Sequence, residues 1–296
     1  MICITITNNN KITTQINSSA NPPVLFFLST CKFRFKDNRA LRMIESKELQ
    51  FSIGDRSLLT NFSMTFEPGK IYALVGHNGS GKSTLLKLLA QQQKPTAGNI
   101  LLNSKRITSW SQKKFAQQVA YLPQQTPSTD SLSGKDLVSF GRYPWHGLLG
   151  RLNQDDERYI NEAMTLTDTQ SYRNRLVDTL SGGERQRLWL AMLLAQRTQY
   201  LLLDEPLSAL DIAHQIDMLD LIRKLSKKLH LGVIIVIHDI NMAARFCDHI
   251  VALHSGKMIA SGSVESIFNQ DQLQKIYGIK MHISDHPAGY PIAMPY

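Results

Sequence analysis

The chain has 296 residues, 43% of them hydrophobic, and a formal net charge of +9 at pH 7. That is enough to bury a sizeable core, and the length suits one α/β unit. The longest unbroken apolar run is Leu188 to Ala195. It falls far short of the roughly 20 residues that a membrane-crossing helix needs, so any pore served by this chain is expected on another chain.

Six Lys or Arg and one Asp precede Met43, so +5 of the charge sits there. The remainder is mildly basic. A nucleic-acid binder needs a basic stripe on its folded body; this spread reads instead as a solvated surface that tolerates anionic lipid, and no nucleic-acid partner is expected. Cys3, Cys31 and Cys247 are odd in number and scattered. That suggests neither a disulfide framework nor a metal site, and it suits a reducing compartment.

Residues 1–42 stand apart. They are rich in Asn, Thr, Ile and Ser without periodicity, and Asn21-Pro22-Pro23 interrupts any helix. The apolar stretch Val24 to Leu28 is too short and too far inside for an ordinary signal peptide. The expectation is a poorly ordered, dispensable extension, with the folded domain covering 43–296.

From Met43 onward the pattern is α/β. Predicted strands are Glu48–Ile53, Ser63–Phe66, Lys70–Val75, Asn99–Leu102, Val119–Leu122, Tyr200–Leu203, Val233–Ile237, His249–His254 and Met258–Ser261. Predicted helices are Lys82–Gln91, Lys135–Phe140, Gln154–Thr167, Gly183–Gln196, Ile212–Leu229 and Asn241–Cys247. Leu201 to Leu203 and Val233 to Ile237 are apolar without alternation, as strands covered on both faces are. The middle, about 126–199, shows no convincing strand and reads as an inserted helical lobe.

Three motifs carry chemistry. Gly76-His77-Asn78-Gly79-Ser80-Gly81-Lys82-Ser83 follows a strand and opens a helix, the context a phosphate-binding loop requires. Its glycines let backbone N–H groups turn inward at phosphate oxygens, and the helix N-terminus adds partial positive charge. Lys82 is expected on the β- and γ-phosphates of ATP, Ser83 on Mg²⁺, and Thr84 on a further phosphate oxygen. Leu201 to Leu203 then runs into Asp204-Glu205, which places two carboxylates at the C-terminal edge of a strand, where α/β sheets bind ligands. Asp204 is expected to hold Mg²⁺ and Glu205 to act as general base toward the attacking water. Third, Leu180-Ser181-Gly182-Gly183-Glu184 begins a helix, with Ser181 standing 23 residues before Asp204. A hydroxyl and bare N–H groups at a helix N-terminus make a second phosphate site.

This combination resembles the signature and Walker B motifs of ABC ATPases, and the resemblance covers Glu45 to the C-terminus. It implies a P-loop NTPase (RecA-like) core, an inserted helical subdomain and an N-terminal antiparallel β region. It also implies that Gln124 reaches toward Mg²⁺ and the attacking water, that Asp211 lies in the D-loop Ser208-Ala209-Leu210-Asp211, and that His238 contacts the γ-phosphate. Members usually place an aromatic residue on adenine; the matching position, 23 residues before Gly76, is Ile53, with Phe51 nearby. The family mechanism implies a head-to-tail dimer, with ATP on one phosphate loop capped by Ser181, Gly182 and Gly183 of a second copy.

Tyr121-Leu122-Pro123-Gln124-Gln125, Gly141 to Arg151, Leu210 to Gln215, His238 to Arg245 and Ile276 to Ile279 are similar to ATPases of bacterial importers for iron-siderophore, haem and cobalamin. Among these the chain is most like the ferric hydroxamate group. The resemblance implies an ATP hydrolase on the cytoplasmic face of the inner membrane, an integral membrane permease and, indirectly, a periplasmic siderophore-binding protein. Alternatives are a haem or cobalamin importer ATPase, or a soluble ABC ATPase of iron–sulfur cluster assembly. Arg142, Tyr143 and Trp145 are expected either to dock the permease or to pack within the lobe.

Overall fold

The computed structural model describes residues 43–146 and 151–296. The extension expected over 1–42, and Gly147 to Gly150 of the aromatic loop, lie outside them.

Two sheets organise the described residues. The first is antiparallel, in the order β2-β1-β4-β5. It comprises β1 (Ile44–Ile53), β2 (Arg56–Phe66), β4 (Ala97–Leu102) and β5 (Lys105–Arg106). Gly54 opens the β1–β2 turn at φ 54°, the left-handed conformation a two-residue hairpin favours. Both opening strands are longer than predicted. Register shifts between Ser46 and Leu49, and again at Phe51, break the alternation of inward and outward side chains, so a period-2 pattern recovers only part of each strand.

The second sheet has the order β10-β9-β3-β8-β7-β6. Here β3 (Ile71–Val75), β6 (Val119–Leu122), β7 (Tyr200–Leu203), β8 (Gly232–Val236) and β9 (His249–His254) run parallel, and β10 (Lys257–Ser263) is an antiparallel edge. Every residue of β3, β7 and β8 is buried, as their unbroken apolar runs require. Close approach has its own demand at Gly232, where a Cβ would lie 2.3 Å from the Tyr200 ring. β11 (Met281–Asp285) and β12 (Pro291–Pro295) form a separate C-terminal hairpin.

Helix α1 (Lys82–Leu89) lies between the two sheets. Its Leu85, Leu86, Leu88 and Leu89 share one core with Ile44, Leu59 and Phe62 of the first sheet and Leu74, Leu202 and Ile234 of the second. Each such leucine contributes roughly 1.5–3 kcal/mol through burial, so the helix that follows the phosphate loop is firmly held. α2 (Gln112–Ala116) precedes β6. Between β6 and β7 come α3 (Gly134–Ser139), α4 (Tyr143–His146), α5 (Gln154–Leu166) and α6 (Gly182–Ala195). α6 buries Leu188, Trp189, Leu190, Leu193 and Leu194; apolar on nearly every side, it is an enclosed helix, packed against α3 and α5. Capping boxes at Ser133–Asp136, Asn153–Asp156 and Ser181–Glu184 fix the starts of α3, α5 and α6.

α7 (Ile212–Leu229), α8 (Ile240–Phe246), α9 (Val264–Ile267) and α10 (Gln270–Tyr277) complete the helices used below. Among the described residues no helix is long and apolar enough to cross a membrane.

Candidate active site

β3 ends at Val75, and the backbone coils from Gly76 to Gly81 before α1 begins. Gly76 and Gly81 have φ 136° and 102°. A Cβ on Gly76 would sit 2.1 Å from the Leu253 carbonyl oxygen, so only glycine fits there. His77, Asn78 and Gly79 are exposed, Ser80 is buried, and Thr84 is half-buried in the first turn of α1.

Lys82 is 4% exposed. Its ammonium donates to the carbonyls of Gly76 at 2.8 Å and His77 at 2.9 Å. Burial pushes its pKa down, opposed by the charges of Glu205 and Asp204. A cation enclosed by a loop, with its close bonds to neutral carbonyl oxygens, is suited to receive an anion.

Ser83 Oγ donates to Asp204 Oδ1 at 2.8 Å. Asp204 is buried at the end of β7; burial pushes its pKa up, and the Ser83 bond opposes this. These are hard oxygen donors, and among the described residues no group of three or more His, Cys, Asp and Glu forms a metal cage. That donor set suits Mg²⁺, which is held by one or two protein oxygens and completed by waters and phosphate oxygens.

Glu205 follows at φ 50°. Its Oε2 accepts from Gln124 Nε2 at 2.7 Å, and its Oε1 faces His238 Nε2 at 2.9 Å. Three segments distant in sequence thus meet at one carboxylate: the end of β6, the end of β7 and the end of β8. Parallel strands that terminate on one edge bring them there.

The signature residues are placed differently. Ser181 caps α6, its hydroxyl accepting from the Glu184 N–H while its own N–H donates to Glu184 Oε2 at 2.8 Å. Gly183 abuts the His214 ring, where a Cβ would lie 2.8 Å away. Asp211 caps α7 and accepts from the His214 N–H at 2.9 Å. Gly182 lines a cleft together with Gln124, Glu205 and Ser208. Among the described residues no hydrogen bond, ion pair or ring contact joins Ser181, Gly182 or Gly183 to the phosphate loop. Ile53 is 60% exposed at the hairpin end of β1.

Tyr121 is a neighbour of the site that motif reading passes over. Its hydroxyl is buried beside Asp204, and burial together with that carboxylate pushes its pKa up. The signal lies in strand register: Tyr121 pairs with Leu202, two residues before Asp204 and therefore on the same face.

The aromatic loop divides. Arg142 is 3% exposed, donating to Asp156 Oδ1 at 2.8 Å and to the Ala195 carbonyl at 2.7 Å. It organises the interior, which removes it as a surface anchor. Trp145 is tied inward through Nε1 to the Gln196 carbonyl at 2.9 Å and lies over Arg142, yet is 38% exposed. Tyr143 is 41% exposed.

Comparison with known proteins agrees with this geometry. The sequence pattern of the ABC transporter family matches residues 59–208. The achromobactin transport ATP-binding protein CbrD of Dickeya dadantii is 39% identical over 254 residues, covering 86% of this chain and 94% of the relative. The iron(3+)-hydroxamate import ATP-binding protein FhuC of Bacillus subtilis is 38% identical over 257 residues, covering 86% and 96%. A chain of an ABC transporter solved in an inward-facing conformation superposes with a TM-score of 0.76 at 24% identity, covering 86% of this chain and 98% of that one. Phosphate loop, carboxylate pair and signature thus stand in the fold that ABC cassettes share, and the chain belongs to the ATP-binding subunits of ABC transporters.

Proposed function

We propose that the chain is the ATP-hydrolysing subunit of a siderophore importer, working on ferric hydroxamates through a separate membrane permease. The observation that carries the hydrolytic part is Glu205, oriented by Gln124 and His238 next to the Ser83–Asp204 pair. The hydroxamate rests on the relative named for iron(3+)-hydroxamate import, and the wider siderophore class also on the one named for achromobactin transport; the permease and an extracytoplasmic binding protein would do the selecting.

In this reading ATP lies along the phosphate loop. Lys82 leaves the Gly76 and His77 carbonyls for the β- and γ-phosphates, and Thr84 assists. Ser83, Asp204 and Gln124 would hold Mg²⁺, which when bound neutralises phosphate charge. Glu205 takes the proton of the attacking water, a step that general-base placement accelerates by about 10²–10⁴-fold. His238 orients Glu205 and senses the γ-phosphate. Ile53, with Phe51, offers apolar packing to adenine. Ser181, Gly182 and Gly183 serve the nucleotide of a second copy, arranged head to tail, and Asp211 sits at that interface. Tyr143 and Trp145 present a face to a cytoplasmic element of the permease, which places the chain peripherally at the cytoplasmic side of the inner membrane.

The test is growth of a bacterium lacking this gene, with a ferric hydroxamate, ferric enterobactin, haem or cobalamin supplied in turn. Loss confined to the hydroxamate supports the reading. Loss confined to another chelate moves the substrate and leaves the ATPase reading intact.

A further inference from the structure

His77, the second residue of the phosphate loop, is flanked by two rings from far along the chain. His254 at the end of β9 lies 5.9 Å away at 83°, and Tyr277 at the end of α10 lies 6.1 Å away at 72°, both centroid to centroid. Both contacts are edge-to-face, an arrangement that rings prefer over a face-to-face sandwich. Both partners fall outside residues 59–208, the part that matches the family pattern.

The consequence for the site runs through one peptide. The His77 carbonyl is an acceptor of the Lys82 ammonium at 2.9 Å. Holding the His77 ring therefore fixes the loop segment that sets where Lys82 rests. α10 is itself well anchored, burying Leu273 and Ile276, and ends at Gly278 with φ 75°, a left-handed stop that favours glycine. The C-terminal segment also contacts the helix that follows His238. Asn241 on α8, three residues past His238, exchanges two hydrogen bonds with Ala293 of β12, at 2.7 and 3.1 Å.

We infer that Tyr277 is a positioning residue for nucleotide binding. Its ring, with that of His254, presets the phosphate loop through His77, so that the C-terminal segment forms part of the ATP site. The inference rests on the ATP-site reading given above. The Tyr277 hydroxyl is buried and has no hydrogen-bond partner, so Tyr277→Phe keeps the ring and breaks no bond.

The experiment measures ATP turnover and titration with a fluorescent ATP analogue on the full chain. Tyr277→Leu should raise KM and Kd for nucleotide by roughly threefold to tenfold with kcat little changed, since a shifted loop costs binding before chemistry. Tyr277→Phe should behave as wild type. A helix-packing role alone would lower the melting temperature and leave the KM of the folded protein unmoved. Because Tyr277→Leu removes a half-buried ring, exposed His254 supplies a second variant: His254→Ala should raise KM in the same direction while the fold persists. Wild-type KM in both folded variants overturns the inference. Failure of the wild-type chain to bind the analogue at all would instead remove the ATP-site reading.

Discussion

His238 Nε2 stands 2.9 Å from Glu205 Oε1. Gln124 holds the other carboxylate oxygen at 2.7 Å, so neither oxygen is free to rotate away. Glu205→Gln keeps size and shape but cannot take a proton. Turnover should fall by about 10²-fold or more, with nucleotide affinity retained and an ATP-bound dimer accumulating on size exclusion. Phosphate release near the wild-type rate would remove Glu205 from the base role.

Ser181 and Lys82 test the head-to-tail arrangement. Each single variant, Lys82→Ala and Ser181→Arg, should be nearly inactive. Mixed in equal amounts they can form dimers with one intact composite site, and activity should recover to a measurable fraction of wild type. If the mixture shows no more activity than its components, the signature does not act in trans.

Arg142 and Asp156 make an acid-sensitive pair inside the helical region. Burial pushes the Asp156 carboxyl up, but the Asn153 N–H, His146 and Arg142 outweigh it and hold the carboxyl below its ordinary range. A depressed carboxylate stabilises the fold fully above the unfolded value of about 4, and that contribution disappears as pH falls through the lower folded value. Asp156→Asn, which strands the buried Arg142, should cost about 3–5 kcal/mol at neutral pH. The gap in melting temperature between variant and wild type should therefore hold constant above about pH 4 and narrow as pH falls below it.

Tyr143 is the cleaner probe of permease docking. Trp145 carries an inward hydrogen bond to Gln196, so its removal mixes packing with docking. Tyr143→Ala should cut membrane association and siderophore-dependent growth, with basal ATPase unchanged and a melting temperature within about 2 °C, as surface substitutions usually allow. Unimpaired uptake would count against this face.

The parts of the molecule legible in the sequence are those where one chemical demand acts locally. Phosphate-loop glycines, the carboxylate pair after an apolar strand and the capped start of α6 each satisfy a short-range rule. Buried parallel strands announce themselves through unbroken apolar runs. What escaped depends on tertiary neighbours. β11 and β12 pair only with each other and contain Pro291 and Pro295, so their composition argues against a strand. Tyr121 and Tyr277 gain meaning only when Asp204 and His77 arrive beside them. From sequence alone, docking and packing are equally open for Arg142, because nothing in its own segment reveals that Asp156 and Ala195 enclose it.

The backbone at Glu205 has a consequence for stability. A non-glycine residue at φ 50° carries about 1–2 kcal/mol of steric strain. Glycine at that position would relax the turn, so Glu205→Gly should melt later than Glu205→Ala, which loses the same contacts with Gln124 and His238 but keeps the strain. In the proposed base role, that strain is offset by a carboxylate held between Gln124 and His238, so stability is given up where chemistry needs a fixed group.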